Sequence, residues 1–263
     1  MSGAGELWLR RYHPAPEARV RLACLPHAGG SASGYHALSA WLAPEVEVLA
    51  VQYPGRQDRR REPPVTDIAT LAGHVAEALG GEPADRPLAL FGHSMGATVA
   101  YEVARLLEHR SGTRPHTLFV SGRRAPSRVR PENVHAGDDE RVLAELERLS
   151  GTDSRLLRDP ELRELILPVV RADYTAIERY RRPPGPEPGC PIVVLVGDAD
   201  PLTTIEEARA WAAHSAIPVD VRVFPGGHFY LEDHLDAVAE VLTGYLTAPA
   251  GPPRPRAGPT SRP

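Results

Sequence analysis

The chain has 263 residues, 42% of them hydrophobic, with a formal net charge of −4. That length fits one large α/β domain, or such a domain with an inserted subdomain, and that apolar share is enough for a core. The near-neutral balance argues against a nucleic-acid binder. Residues 1–13 carry no apolar leader region, and no stretch approaches a membrane span. A cytoplasmic protein with no nucleic-acid or membrane partner is expected.

All 30 basic residues are arginine. The richness in Arg, Ala and Pro reads as a compositional bias, so no single arginine carries an argument alone. Cys24 and Cys190 each fall in or beside an apolar run and read as inert core thiols. Nothing has zinc-ligand spacing, and no metal site is expected.

In chain order, residues 7–12 and 19–25 read as strands joined by a Pro-containing turn. The second runs into Leu25-Pro26-His27-Ala28-Gly29-Gly30. A Gly-rich turn at a strand end suits a phosphate cradle, a plain connection or an oxyanion loop. The phosphate fingerprints are absent. Residues 35–42 read as a helix and 46–52 as a strand. The loop that follows holds Arg56, Arg59, Arg60 and Arg61. It reads as a solvated loop or as a docking patch for an acidic partner or a phosphate. Thr66 or Asp67 can cap the next helix, where Ile68, Leu71, Val75 and Leu79 share one face.

The run Leu88-Ala89-Leu90-Phe91 then leads into Gly92-His93-Ser94-Met95-Gly96, followed by a helical pattern over residues 97–108. G-x-S-x-G between a strand and a helix is the nucleophile elbow of serine hydrolases. Its glycines let strand and helix approach closely, and the helix N-terminus favours developing negative charge. With Ser94 as nucleophile, the Gly-rich loop reads as the oxyanion loop. The backbone N–H groups of Ala28 and Met95 are then the candidate donors.

Residues 116–121 read as a strand, after which the strand–helix alternation stops. Residues 127–188 read as a helical insertion, a lid. One apolar stripe joins Val142, Leu146 and Leu149. A second joins Leu162, Leu165, Ile166, Val169, Val170, Tyr174 and Ile177. These stripes can line an acyl channel, hold the lid to the body, or do both. Pro168 should kink or divide the second helix. Alternation resumes with a strand at 191–196, a helix at 203–213, a strand at 219–224 and a helix at 231–246. The division is thus 1–126 and 189–247 as core, 127–188 as lid, and 248–263 as a disordered Pro- and Arg-rich tail.

A serine hydroxyl needs a base, and the base needs an orienting carboxylate. His93 flanks the serine and is expected to point elsewhere, and His27 sits in the oxyanion loop. His228 follows the last strand in Gly226-Gly227-His228-Phe229 and is the candidate base, with His234 the weaker alternative. Asp200, before Pro201, is preferred as the acid over Asp198, which sits closer to the sheet and would support the turn. Ser94, Asp200 and His228 then occur in the chain order usual for α/β hydrolases.

These stretches, together with Gln52-Tyr53-Pro54-Gly55-Arg56, Ser121-Gly122-Arg123-Arg124-Ala125-Pro126 and Gly197-Asp198-Ala199-Asp200-Pro201, resemble the type II thioesterases of polyketide and nonribosomal peptide synthases. The resemblance covers residues 20–246. It implies an α/β-hydrolase fold, a mostly parallel sheet flanked by helices with an inserted helical lid. It also implies a triad of Ser94, Asp200 and His228 with oxyanion donors at Ala28 and Met95. The implied activity is hydrolysis of aberrant or stalled acyl groups from the phosphopantetheine arm of an acyl or peptidyl carrier protein. No cofactor is implied, because the phosphopantetheine belongs to the substrate. A discrete protein is expected, since Met1 stands without a synthase module ahead of it, and it is expected to be a monomer. Competing expectations are a carboxylesterase or lipase-like hydrolase and a non-catalytic carrier-binding scaffold. An acyltransferase or cyclase would use the same acyl-enzyme.

Overall fold

The computed structural model describes residues 7–149 and 159–247. The tail expected to be disordered, 248–263, lies outside them, as does the side chain of Leu162.

Seven strands form one sheet: β1 (Leu9–Arg10), β2 (Val20–Leu25), β3 (Val46–Val51), β4 (Leu88–His93), β5 (Leu118–Ser121), β6 (Ile192–Gly197) and β7 (Asp220–Phe224). Their spatial order is β1-β3-β2-β4-β5-β6-β7. Only β1 is antiparallel. Parallel strands need crossovers, and helices supply them: α1 (His36–Leu42), α2 (Ile68–Gly80), α3 (Met95–Ser111), α4 (Asp139–Arg148), α5 (Pro160–Arg179) and α6 (Ile205–Arg209), while α7 (Tyr230–Asp233) and α8 (Leu235–Leu246) follow β7. Covered on both faces, β2 and β3 are buried along their whole length, and each is apolar but for one charged residue, Arg21 and Glu47.

The period-2 alternation of β4 divides the core. Leu90 packs with Leu71, Val75 and Val99 of α2 and α3. Ala89 and Phe91 face the opposite side, with Leu38, Leu42, Val238 and Leu242 of α1 and α8. Strand β4, which leads into Ser94, is therefore clamped from both faces, and its C-terminal tip is a fixed platform.

Several elements differ from the sequence expectation. β1 is only two residues long, because Pro14 and Pro16 end pairing at the sheet edge. The expected helix at 203–213 is α6 followed by a 3₁₀ turn at Ala210–His214, started by a Thr204–Glu207 capping box. The last helix breaks at His234, whose backbone is non-helical. Asp67 caps α2 by accepting the Thr70 N–H at 2.8 Å.

Pro168 does not divide α5, which runs continuously past it. Pro168 and Glu164 both face solvent, so the carbonyl freed by the missing N–H meets water. Leu165 also faces solvent, 61% exposed, and does not belong to the buried stripe. Of the rest, Val142, Leu143, Leu167 and Val170 glue α4 to α5, while Ile177 joins the main core. Burial pushes the thiols of Cys24 and Cys190 up, and both are free.

The arginine loop after β3 is not a free docking patch. Arg56 is 7% exposed and forms a bidentate ion pair with Asp173 of α5. Arg59 is also buried, donates to the Gln52 carbonyl and the Glu62 carboxylate, and lies over the Trp8 ring. A guanidinium five donors wide can satisfy buried carbonyls and carboxylates that an ammonium cannot match. Only Arg60 and Arg61 of this group stay exposed.

Candidate active site

Ser94 stands between β4 and α3 with φ 54° and ψ −119°, a backbone region that non-glycine residues rarely occupy. Its N–H donates to the Ser121 carbonyl at 2.8 Å, which ties the turn to β5. A Cβ on Gly92 would lie 2.1 Å from the Gly96 carbonyl oxygen, and one on Gly96 would lie 2.1 Å from that of Leu25. No backbone atom in that packing can give way cheaply. Gly96→Ala is therefore expected to destabilise the fold by about 3 kcal/mol or more. A melting temperature equal to wild type would show that the elbow is looser than this.

The other two candidate residues come together through paired loops. Asp198 accepts the Gly226 N–H at 2.9 Å, and the Ala199 N–H donates to the Gly226 carbonyl at 2.9 Å. A Cβ on Gly197 would meet the Gly227 oxygen at 2.4 Å. The loops after β6 and β7 are thus zipped side by side. Asp198 supports this turn. Asp200 sits beside His228, whose Nδ1 donates to its two oxygens at 2.9 and 3.1 Å. Asp200 also accepts the Leu202 N–H at 2.8 Å. Both side chains are buried, and with Nδ1 protonated, Nε2 keeps a free lone pair. His234 instead stands at the N-terminal end of α8, with no side-chain capping hydrogen bond, and does not line the cavity.

Ser94, His228 and Ala28 line one cavity of about 130 Å³. His27, Gly29 and Phe229 complete its floor, and Leu146, Leu149, Ile166, Val170 and Tyr174 of the insertion form an apolar wall. The Ala28 N–H donates to no described group. Met95 is the first residue of α3, so its N–H precedes the helical hydrogen-bond ladder and is left for another acceptor.

The sequence expectation missed the role of His93. Its ring does not point away but packs under the base, 5.0 Å from the His228 ring centre. Its Nδ1 shares a 2.9 Å hydrogen bond with Ser121 Oγ, which shares one of 2.6 Å with the Tyr230 hydroxyl. A Cβ on Gly122 would strike the His93 ring at 2.7 Å, so the glycine after β5 leaves room for it. Tyr230, two residues after His228 in the sequence, was the available signal.

Burial, with the nearby His228 and Arg56, lowers His27 to about 4, and burial drives His93 well below the usual imidazole value. Both stay neutral beside the His228 ring. Below about pH 6.5 the unfolded chain binds protons that these folded imidazoles refuse. Their contribution to stability is complete above that pH and falls as pH drops toward about 4, where His27 itself protonates. A His27→Gln variant is expected to lose less melting temperature than wild type between neutral pH and the acid end of that window. Parallel curves for the two proteins would remove His27 from the explanation.

Among the described residues, no group of three or more His, Cys, Asp or Glu is arranged to hold a metal ion. No described helix is long and apolar enough to cross a membrane.

Residues 20–245 match the thioesterase domain family. The chain belongs to that family. This thioesterase is 49% identical to Thioesterase PikA5 of Streptomyces venezuelae over 250 residues, which are 95% of this chain and 89% of that protein. It is 34% identical to the gramicidin S biosynthesis protein GrsT of Aneurinibacillus migulanus, over 91% of this chain and 93% of that one. Among solved structures it superposes on the type II thioesterase BorB from the borrelidin biosynthetic cluster with a TM-score of 0.85 and 50% identity, covering 91% of this chain and 98% of that one. RedJ, a thioesterase of the prodiginine pathway in Streptomyces coelicolor, gives a TM-score of 0.83 at 38% identity, covering 89% and 88%. This thioesterase is accordingly a serine hydrolase of the type II group with an α/β-hydrolase fold.

Proposed function

We propose that this thioesterase hydrolyses aberrant or stalled acyl groups from the phosphopantetheine arm of an acyl or peptidyl carrier protein of a polyketide or nonribosomal peptide synthase. It does so in the cytoplasm as a monomer, with Ser94, His228 and Asp200 as its triad and residues 127–188 as its lid. The observation that carries the reading is the single cavity into which Ser94, His228 and Ala28 all open beneath an apolar wall from α4 and α5. Such a wall suits the acyl group, and the polar floor suits the reacting carbonyl.

His228 Nε2 takes the Ser94 proton as Oγ attacks the thioester carbonyl. The oxyanion rests on the N–H groups of Ala28 and Met95, and losing one such donor typically costs about 10²–10³ in rate. Asp200 holds the Nδ1–H and stabilises the imidazolium. The carbon–sulfur bond breaks, and the pantetheine sulfur leaves with the proton from His228. Water then gives its proton to His228 and its oxygen to the acyl carbon, and Ser94 is released with its proton restored. No metal or organic cofactor enters these steps.

The test is intact-mass spectrometry of acyl-loaded carrier protein incubated with wild type and with Ser94→Ala, using acetyl, propionyl and longer chains. Return of the free phosphopantetheine form with wild type alone supports the reading. Surviving acyl-carriers beside a cleaved oxygen ester of the same acyl group would replace it with a carboxylesterase.

A further inference from the structure

Asp173 lies on α5 between the cavity-lining Val170 and Tyr174 and has no exposed surface. A carboxylate so buried is costly unless it is paired and hydrogen-bonded. Its Oδ2 accepts the Gly29 N–H at 2.7 Å and Arg56 Nη1 at 2.8 Å, and its Oδ1 accepts Arg56 Nη2 at 2.9 Å. The same Arg56 Nη1 donates to the Gly30 carbonyl at 2.9 Å. Both glycines directly follow Ala28.

The two halves of this loop are held from different places. Beyond Gly30, the hydrolase body holds it: Gln52 accepts the Ala32 N–H at 3.0 Å, and Gln57 donates to the hydroxyls of Ser31 and Ser33 at 2.8 and 2.6 Å. Nearer Ala28, the anchor comes from the insertion, directly through Asp173 and indirectly through Arg56. Gly29 has φ 79°, and a Cβ there would meet Val170 Cγ2 at 2.9 Å, so α5 sits directly on the turn. The Gly29 N–H is spent on Asp173. Holding the Ala28–Gly29 peptide plane leaves the free Ala28 N–H one Cα from a rigid anchor.

We propose that Asp173 is a positioning residue through which helix α5 sets the direction of the Ala28 N–H, so that the oxyanion site is complete only while the insertion is seated on the loop. Chemistry and lid seating are then one event. An acyl-carrier whose chain unseats α5 also dismantles the oxyanion site. This rests on the proposed roles of Ser94 and Ala28, and Ser94→Ala tests the first of them separately.

The experiment is Asp173→Asn, assayed with an acyl-pantetheine thioester and normalised to active sites titrated with a fluorophosphonate. An amide brings its own N–H groups against donors from Gly29 and Arg56, so one of them loses its acceptor. The expected kcat falls about 10- to 100-fold, short of the full loss of a donor. KM stays within about 3-fold, the signature of an interaction made in the transition state. The inhibition constant of a trifluoromethyl ketone analogue, which forms an oxyanion on Ser94, rises in step with the fall in kcat. A residue that only held the fold together would lower the active fraction and the melting temperature but leave that constant unchanged. A kcat per active site within about 2-fold of wild type, or a fall with no change in the inhibition constant, overturns the proposal. If Asp173→Asn does not fold, Asp173→Glu, which keeps the charge but shifts the carboxylate by one methylene, is read by the same two constants. If Ser94→Ala keeps wild-type turnover, the failure lies in the site assignment and not in Asp173.

Discussion

Ser94→Ala is expected to lower turnover of an acyl-carrier thioester by a factor on the order of 10⁶, since it removes the proposed acyl acceptor. The substitution removes one oxygen and little else. The Ser94 side chain makes no capping hydrogen bond to α3, and alanine keeps the Cβ that the φ 54° backbone already carries. Melting temperature should therefore match wild type, and the acyl-carrier should still bind. Single-turnover quench experiments would find no acyl-enzyme. Retention of turnover above about 1% of wild type would move the nucleophile elsewhere, because residual catalysis by binding and the oxyanion site alone is far smaller.

Asp200→Asn is expected to cost about 10⁴ in kcat with little change in KM. An amide at this position can still accept the Leu202 N–H that Asp200 Oδ1 holds at 2.8 Å, so the loop should survive. What fails is the proton arrangement on His228. With an N–H donor facing Nδ1, the ring carries its proton on Nε2, and Nε2 can no longer take the Ser94 proton. A loss of less than about 10-fold would point to another acid. Asp198 is a poor substitute, because it is already engaged with the Gly226 N–H at 2.9 Å. Asp198→Asn should accordingly act on stability more than on kcat.

The residues that local chemistry constrains were readable before any coordinates. The tight approach of β4, α3 and β2 demands glycine at positions 92 and 96, and that demand is written as G-x-S-x-G. Parallel strands covered on both faces are largely apolar, so β6 stands out as an unbroken run, and β2 and β3 as runs interrupted only by Arg21 and Glu47. The family signatures pointed to the thioesterase family, which the match over residues 20–245 shows. Two helices, α4 and α5, lie between β5 and β6, where the strand–helix alternation of the sequence stops.

What the sequence by itself determined is the order of elements, the sheet class, the family and a short set of residues able to do acyl chemistry. Only the tertiary structure decided which of them meet. Asp200 and His228 are 28 positions apart and share a hydrogen bond because two loops are zipped together by backbone bonds, the Asp198 carboxylate and the close approach at Gly197. Arg56 and Asp173 are 117 positions apart, and nothing in the arginine-rich loop marked Arg56 and Arg59 as buried and Arg60 and Arg61 as solvated. The same holds for His93, whose neighbours along the chain say nothing of the His228 ring beneath which it packs. Periodicity and propensity are properties of a few consecutive residues. Burial, pairing and ionisation depend on the field and packing of residues brought together across the whole fold.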